Sequence, residues 1–112
     1  MSPRQPEHCT EMAHVREAID EIDKQLVDLV AQRFGYVDRA WQIKRHGPEG
    51  AVVPWRIQQV IDRVRDRADE RGLPPDLAEA LWRQMIGWFI QYEEAQLTRS
   101  SSTDGNKKTS DK

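Results

Sequence analysis

One cysteine, Cys9, is all this chain offers for a disulfide or a thiolate metal cage, so neither can be built within it. It reads as a free thiol in a mobile leader. No apolar run approaches the ~20 residues needed to cross a bilayer. No apolar h-region marks a secretory signal near Met1, and a cytoplasmic location is expected. Charge of a single sign is missing as well. Seventeen Lys and Arg face 19 Asp and Glu for a net charge of −2, with no basic block suited to nucleic acid. No segment alternates as a strand with turn signals, and no internal repeat or sustained heptad runs through the chain. His8, His14 and His46 lack metal-ligand spacing, and no phosphate loop or nucleophile–base constellation is found. No metal and no cofactor are expected.

What is present is helical period. The class is all-α, with three helices, and 112 residues make one domain at most. Residues 1–10 form a polar leader and residues 98–112 a polar tail, both expected to be disordered, around a helical domain at 11–97. The first helix is expected from about Glu11 to Lys44 or Arg45, about 50 Å at ~1.5 Å per residue. The breakers His46-Gly47-Pro48-Glu49-Gly50 end it. Pro54 suits a first helical position, opening a second helix to about Arg71 with Ile57, Val60, Ile61, Val64 and Ala68 on one face. Gly72 caps it, and Leu73-Pro74-Pro75-Asp76 leads into a third helix to about Leu97. Its inward set is expected to be Leu77, Leu81, Trp82, Met85, Ile86, Phe89 and Ile90. So long a first helix cannot be covered by the remaining ~50 folded residues, so a second copy or another protein is expected against it.

Two cations stand where that first helix should be apolar. Val15, Ile19, Ile22, Leu26, Leu29, Val30, Val37, Ala40 and Ile43 recur at helical spacing, and Arg33 and Lys44 fall in step with them. A buried cation costs several kcal/mol unless an opposite charge meets it. No acid is placed regularly on the stripe to neutralise both, so a bound anion is the expected partner. Arg33 and Lys44 are 11 residues apart, about 16 Å along one face. Arg16 lies 17 residues before Arg33 and about 100° round the helix, out of reach of the same small ligand within one chain. In an antiparallel pair of long helices, Arg16 of one copy reaches Arg33 and Lys44 of the other, which creates two equivalent sites. Plainer readings stand beside these: Arg16 as an exposed helix-start residue, Arg33 as a snorkelling cation paired to a carboxylate, Lys44 as a cation favoured at a helix end.

Glu93 continues the stripe of Trp82, Ile86, Phe89 and Ile90. Burial there favours the neutral, hydrogen-donating form of a carboxyl. Its plainer reading is a solvated residue near a helix end. Arg56, in the first turn of the second helix, sits against the positive end of the helix dipole, which either a bound anion or simple solvation allows. Several cations, few bases and an apolar surround suit a small dianion whose reaction needs positioning and charge stabilisation, without a covalent step.

The runs VREAIDEIDKQLVDLVAQR (Val15–Arg33), IK (Ile43-Lys44), Arg56 and LPPDLAEALWRQMIGWFIQYEE resemble the all-helical chorismate mutases and the related isochorismate–pyruvate lyases of salicylate formation. The resemblance covers about residues 12–97. It implies an intertwined helical homodimer with shared sites, a chorismate-like dicarboxylate as substrate, and a place in the shikimate pathway of aromatic amino acid biosynthesis. It also implies roles. Arg16 comes from the second copy, Arg33 and Lys44 hold a carboxylate and the ether oxygen, Arg56 contacts a carboxylate, and Glu93 bonds the ether oxygen. Ile57 stands where some mutases carry an acid for the ring hydroxyl, and the leader resembles the lyase branch. Chorismate mutase is the expected activity, with catalysis by Lys44, Glu93 and Arg33. An isochorismate–pyruvate lyase, an aminodeoxychorismate mutase and a non-enzymatic helical adaptor are the alternatives.

Overall fold

The helices are separated from one another where the sequence places its breakers. The computed structural model describes residues 4–110, with side chains through Ser100. The ends of the expected leader (residues 1–3) and tail (residues 111–112) lie outside the described residues. Helix α1 spans Met12–Lys44, α2 spans Pro54–Glu70 and α3 spans Pro75–Ser110. The class is all-α. No helix among the described residues is long and apolar enough to cross a membrane.

The chain divides into two units, one ending at Tyr36 and the other beginning at Val37, so α1 contributes to both. The first unit holds a short 3-10 turn at Pro6–His8 and most of α1. The turn leads to Thr10, whose backbone N–H donates to His14 Nδ1 at 3.2 Å. Helix α1 buries none of its residues. Along its apolar stripe, Leu26 and Leu29 are 52% and 58% exposed. A Cβ built on Gly35 meets nothing within 4 Å, so within one chain this glycine is tolerated and serves no close approach. At the far end, Gly47 donates its backbone N–H to the Lys44 carbonyl at 2.9 Å and the helix stops.

In the second unit α2 and α3 pack together. Pro54 opens α2 behind an extended Val53, a position where the missing N–H of proline costs nothing. At the other end Gly72 adopts φ +74°. Its N–H bonds to the Asp69 carbonyl at 3.2 Å, and that of Leu73 to Ala68 at 2.8 Å. This paired closure needs the left-handed backbone that glycine enters without strain. The shared core holds Ile61, Ala68, Ala78 and Phe89. Across its edge Arg65 Nη1 donates to Asp76 at 3.0 Å and to Glu79 at 2.9 Å, and Glu79 also binds Arg83 Nε at 2.6 Å.

Two expectations for α3 need correction. Leu77 and Leu81 are exposed; the inward line keeps the buried Phe89 and the half-buried Trp82, Met85, Ile86 and Ile90, and adds Ala78 and Glu93. One residue step is about 100° of rotation, so placing Ala78 inward turns Leu77 and Leu81 onto the neighbouring face. The helix also continues past Leu97 to Ser110. No proline interrupts that stretch, although its Ser, Thr, Asp and Asn residues and Gly105 are weak helix formers.

Candidate active site

Lys44 is the last residue of α1, so its ammonium emerges where the helix ceases and the neighbouring backbone turns away. Glu93 lies one turn beyond Phe89 on α3, on the line that faces inward, and is itself buried. The two meet. Lys44 Nζ donates to Glu93 Oε2 at 3.0 Å, with side chains 18% and 9% exposed. This corrects the expectation that only a bound anion neutralises Lys44. The neutralising acid comes from another helix, where no count along α1 would find it. Glu93 is correspondingly an acceptor here, held by a cation, where the sequence suggested a neutral donor. The pair is part-buried, so removing one partner leaves the other charge poorly compensated.

A second cross-helix contact lies beside the first. Tyr92, the neighbour of Glu93, donates its Oη to Asp38 Oδ1 at 2.5 Å. Trp41 Nε1 donates to the same oxygen at 2.7 Å, and Gln42 Nε2 reaches Oδ2 at 3.5 Å. The hydrogen bond from Tyr92, then that from Trp41, holds the Asp38 carboxyl below the usual carboxylate range, against partial burial. The same bond to Asp38 pushes the Tyr92 phenol up, with burial adding to it. The Tyr92 ring stacks on Trp88 at 5.9 Å with planes 9° apart.

Arg56 is exposed and donates to Gln59 of its own helix at 2.7 Å. Arg16 is exposed and Arg33 half-buried, both in the first unit. Lys44 and Glu93 are therefore the two expected residues brought together within one unit. A cleft of about 480 Å³ at the end of α1 is lined by Arg39, Trp41, Gln42, Ile43, Arg45 and His46, none of them expected in the site. Among the described residues no group of three His, Cys, Asp or Glu is placed to hold a metal.

Sequence reading missed Asp38, Trp41 and Tyr92. Asp38 and Trp41 stand three apart, a spacing that puts them on one helix face, so half of the cluster was legible. The tyrosine that completes it comes from 54 positions away.

The chain is all-helical, with a part-buried lysine–glutamate pair between its first and third helices. Residues 15–94 match the family model described as chorismate mutase type II, and the chain belongs to that family. Among curated relatives it is 37% identical over 86 residues to the isochorismate pyruvate lyase of Pseudomonas aeruginosa, covering 76% of this chain and 83% of that protein. It is 33% identical over 76 residues to the T-protein of Enterobacter agglomerans, covering 68% of this chain but only 20% of that protein.

Proposed function

We propose that the chain is a chorismate mutase, converting chorismate to prephenate by an intramolecular [3,3]-sigmatropic rearrangement. One carbon–oxygen bond of the ether breaks as a carbon–carbon bond forms, and no group is transferred to the protein. The observation that carries this reading is the shielded Lys44–Glu93 pair, 3.0 Å apart, in a chain of this family. As the ether bond breaks, negative charge grows on its oxygen, and a preorganised cation stabilises that charge most where water is excluded. Lys44 gives the hydrogen bond to that oxygen. Glu93 accepts from the ammonium and aims it at that oxygen. Arg33, Arg56 and Arg16 of a second copy clamp the two carboxylates and select the folded substrate conformer, which removes much of the entropic barrier.

The need for a second copy is supported by the uncovered stripe of α1, where Ile19, Leu26, Leu29 and Ile43 are each more than half exposed in the single chain. Such a run of apolar surface marks an interface. An intertwined homodimer with two shared sites answers it and brings Arg16 to the cations of the other copy.

A second reading is favoured by one finding, the 37% identity to a protein named isochorismate pyruvate lyase. In that reaction the same clamp would hold isochorismate, and a ring hydrogen would pass to the side chain as the ether bond breaks, releasing pyruvate and leaving salicylate. Purified protein incubated separately with chorismate and isochorismate decides between the two. Prephenate from chorismate, at a kcat/KM well above that for isochorismate, is the expected result. Pyruvate and salicylate from isochorismate at the higher kcat/KM would replace the mutase by the lyase. Turnover of neither, with a thermal midpoint indifferent to a chorismate-like dicarboxylate, would leave a helical adaptor.

A further inference from the structure

The Asp38–Trp41–Tyr92 cluster has no part in the chemistry just described, yet it lies one residue from Glu93 on α3 and six from Lys44 on α1. Six residues are about 9 Å of helix rise. The two helices are thus tied at two points, and the second tie is polar, half-buried and unusually well held. Asp38 Oδ1 receives two donors, the Tyr92 hydroxyl at 2.5 Å and the Trp41 indole at 2.7 Å. Short O–H···O⁻ bonds to an ionised carboxylate are about twice as strong as neutral ones. Both partners are oriented independently. Trp41, one turn on along α1, fixes the Asp38 rotamer, while stacking on Trp88, one turn back along α3, fixes the direction of the phenol.

A single ion pair between two flexible side chains does not determine how one helix sits along and around another. Lysine has four rotatable bonds and follows a moving carboxylate. A second contact between shorter, rotamer-locked side chains removes that freedom, and reaction geometry of the proposed kind tolerates little of it: a displacement of about 1 Å can cost roughly 10²-fold in rate.

We propose that Asp38 and Tyr92 are positioning residues, forming a latch that fixes the end of α1 against α3 and so holds the Lys44 ammonium in its reacting place on Glu93. The inference deepens the chorismate reading and rests on it for its catalytic consequence. Its structural consequence stands apart.

Tyr92→Phe tests both, because it keeps the ring on Trp88 and removes only the hydroxyl. Brief treatment with acetic anhydride, read by mass spectrometry, gives the acylation rate of Lys44 relative to Lys24, whose side chain is 77% exposed. Unlatching should raise that ratio several-fold. A ratio equal to wild type would overturn the latch. With chorismate, Tyr92→Phe should lower kcat roughly ten-fold and leave KM within about two-fold, since the affected interaction develops in the transition state. In a Lys44→Ala background the same change should add nothing, because the latch acts through that lysine. Losses that multiply in the double variant would show Tyr92 acting elsewhere and overturn the proposal. If Tyr92→Phe fails to fold, Asp38→Asn is read by the same two measurements. A wild-type protein that turns over neither substrate would sink the functional reading, and the acylation ratio would still decide the latch.

Discussion

Removing Glu93 alone should damage the fold, while removing Lys44 and Glu93 together should damage only the chemistry. The pair is well shielded, with side chains 18% and 9% exposed. Glu93→Ala therefore leaves an ammonium in a site that water reaches poorly. Breaking a buried pair by deleting one partner costs about 3–5 kcal/mol, and the residual exposure of Lys44 argues for the lower end, about 3 kcal/mol. At a urea m-value of about 1–3 kcal/mol/M this lowers the unfolding midpoint by about 1–3 M, provided protomer concentration is held fixed. The apolar double variant Lys44→Met/Glu93→Leu removes both charges and fills their space. Such replacements are often neutral or stabilising by about 1–4 kcal/mol, so the midpoint should return to that of wild type or exceed it. Turnover of chorismate should not return. Loss of one preorganised donor costs about 10²–10³ in kcat, and the double variant has lost its cation altogether. Urea titration by circular dichroism and the decay of chorismate absorbance measure the two effects separately. A wild-type midpoint in Glu93→Ala would mean that the pair contributes no burial energy. Wild-type turnover in the double variant would remove Lys44 and Glu93 from the reaction.

Mixing inactive Arg16→Ala and Lys44→Ala proteins should restore roughly a quarter of wild-type turnover if subunits exchange freely, because half of the resulting dimers contain one intact site; no recovery in a mixture whose heterodimer is verified by native mass spectrometry would refute site sharing. Gly72→Ala forces a Cβ into the left-handed region at φ +74° and should cost about 1–2 kcal/mol in thermal or urea unfolding, whereas an unchanged midpoint would mean the α2 terminus closes some other way. The lowered Asp38 carboxyl contributes stability that is complete above about pH 4, the ordinary unfolded-state value, and is lost as pH falls through its lower folded-state value. Asp38→Asn should therefore flatten part of the acid limb below pH 4, leaving the share carried by Glu79, which Arg83 holds low; an identical limb in both proteins would refute the assignment.

Helix locations were legible because their causes are local. Pro54, Gly72 and the Pro74-Pro75 pair act on the backbone within a turn of themselves, and the periods of α1 and α2 follow from the residues alone. The failure at α3 is instructive. Trp82, Met85, Ile86, Phe89 and Ile90 lie on the covered side as expected, and only Leu77 and Leu81 at the start of the helix fall outside it. Apolarity alone favoured the leucines, but the covered position at the start of α3 is taken by the small Ala78, 2% exposed.

The same division holds for the site. By itself the sequence determined that Lys44 ends a long amphipathic helix, that Glu93 shares a face with Phe89, and that the chain carries more apolar surface on α1 than it can cover. It also carried the family's motif residues at their spacings. Only the tertiary structure decided that Lys44 and Glu93 are each other's partners, and that Asp38 is met by Tyr92. Helical period reports the direction a side chain leaves its own axis; the neighbour it finds there depends on how two distant segments dock, a property of the packed chain that no single segment contains.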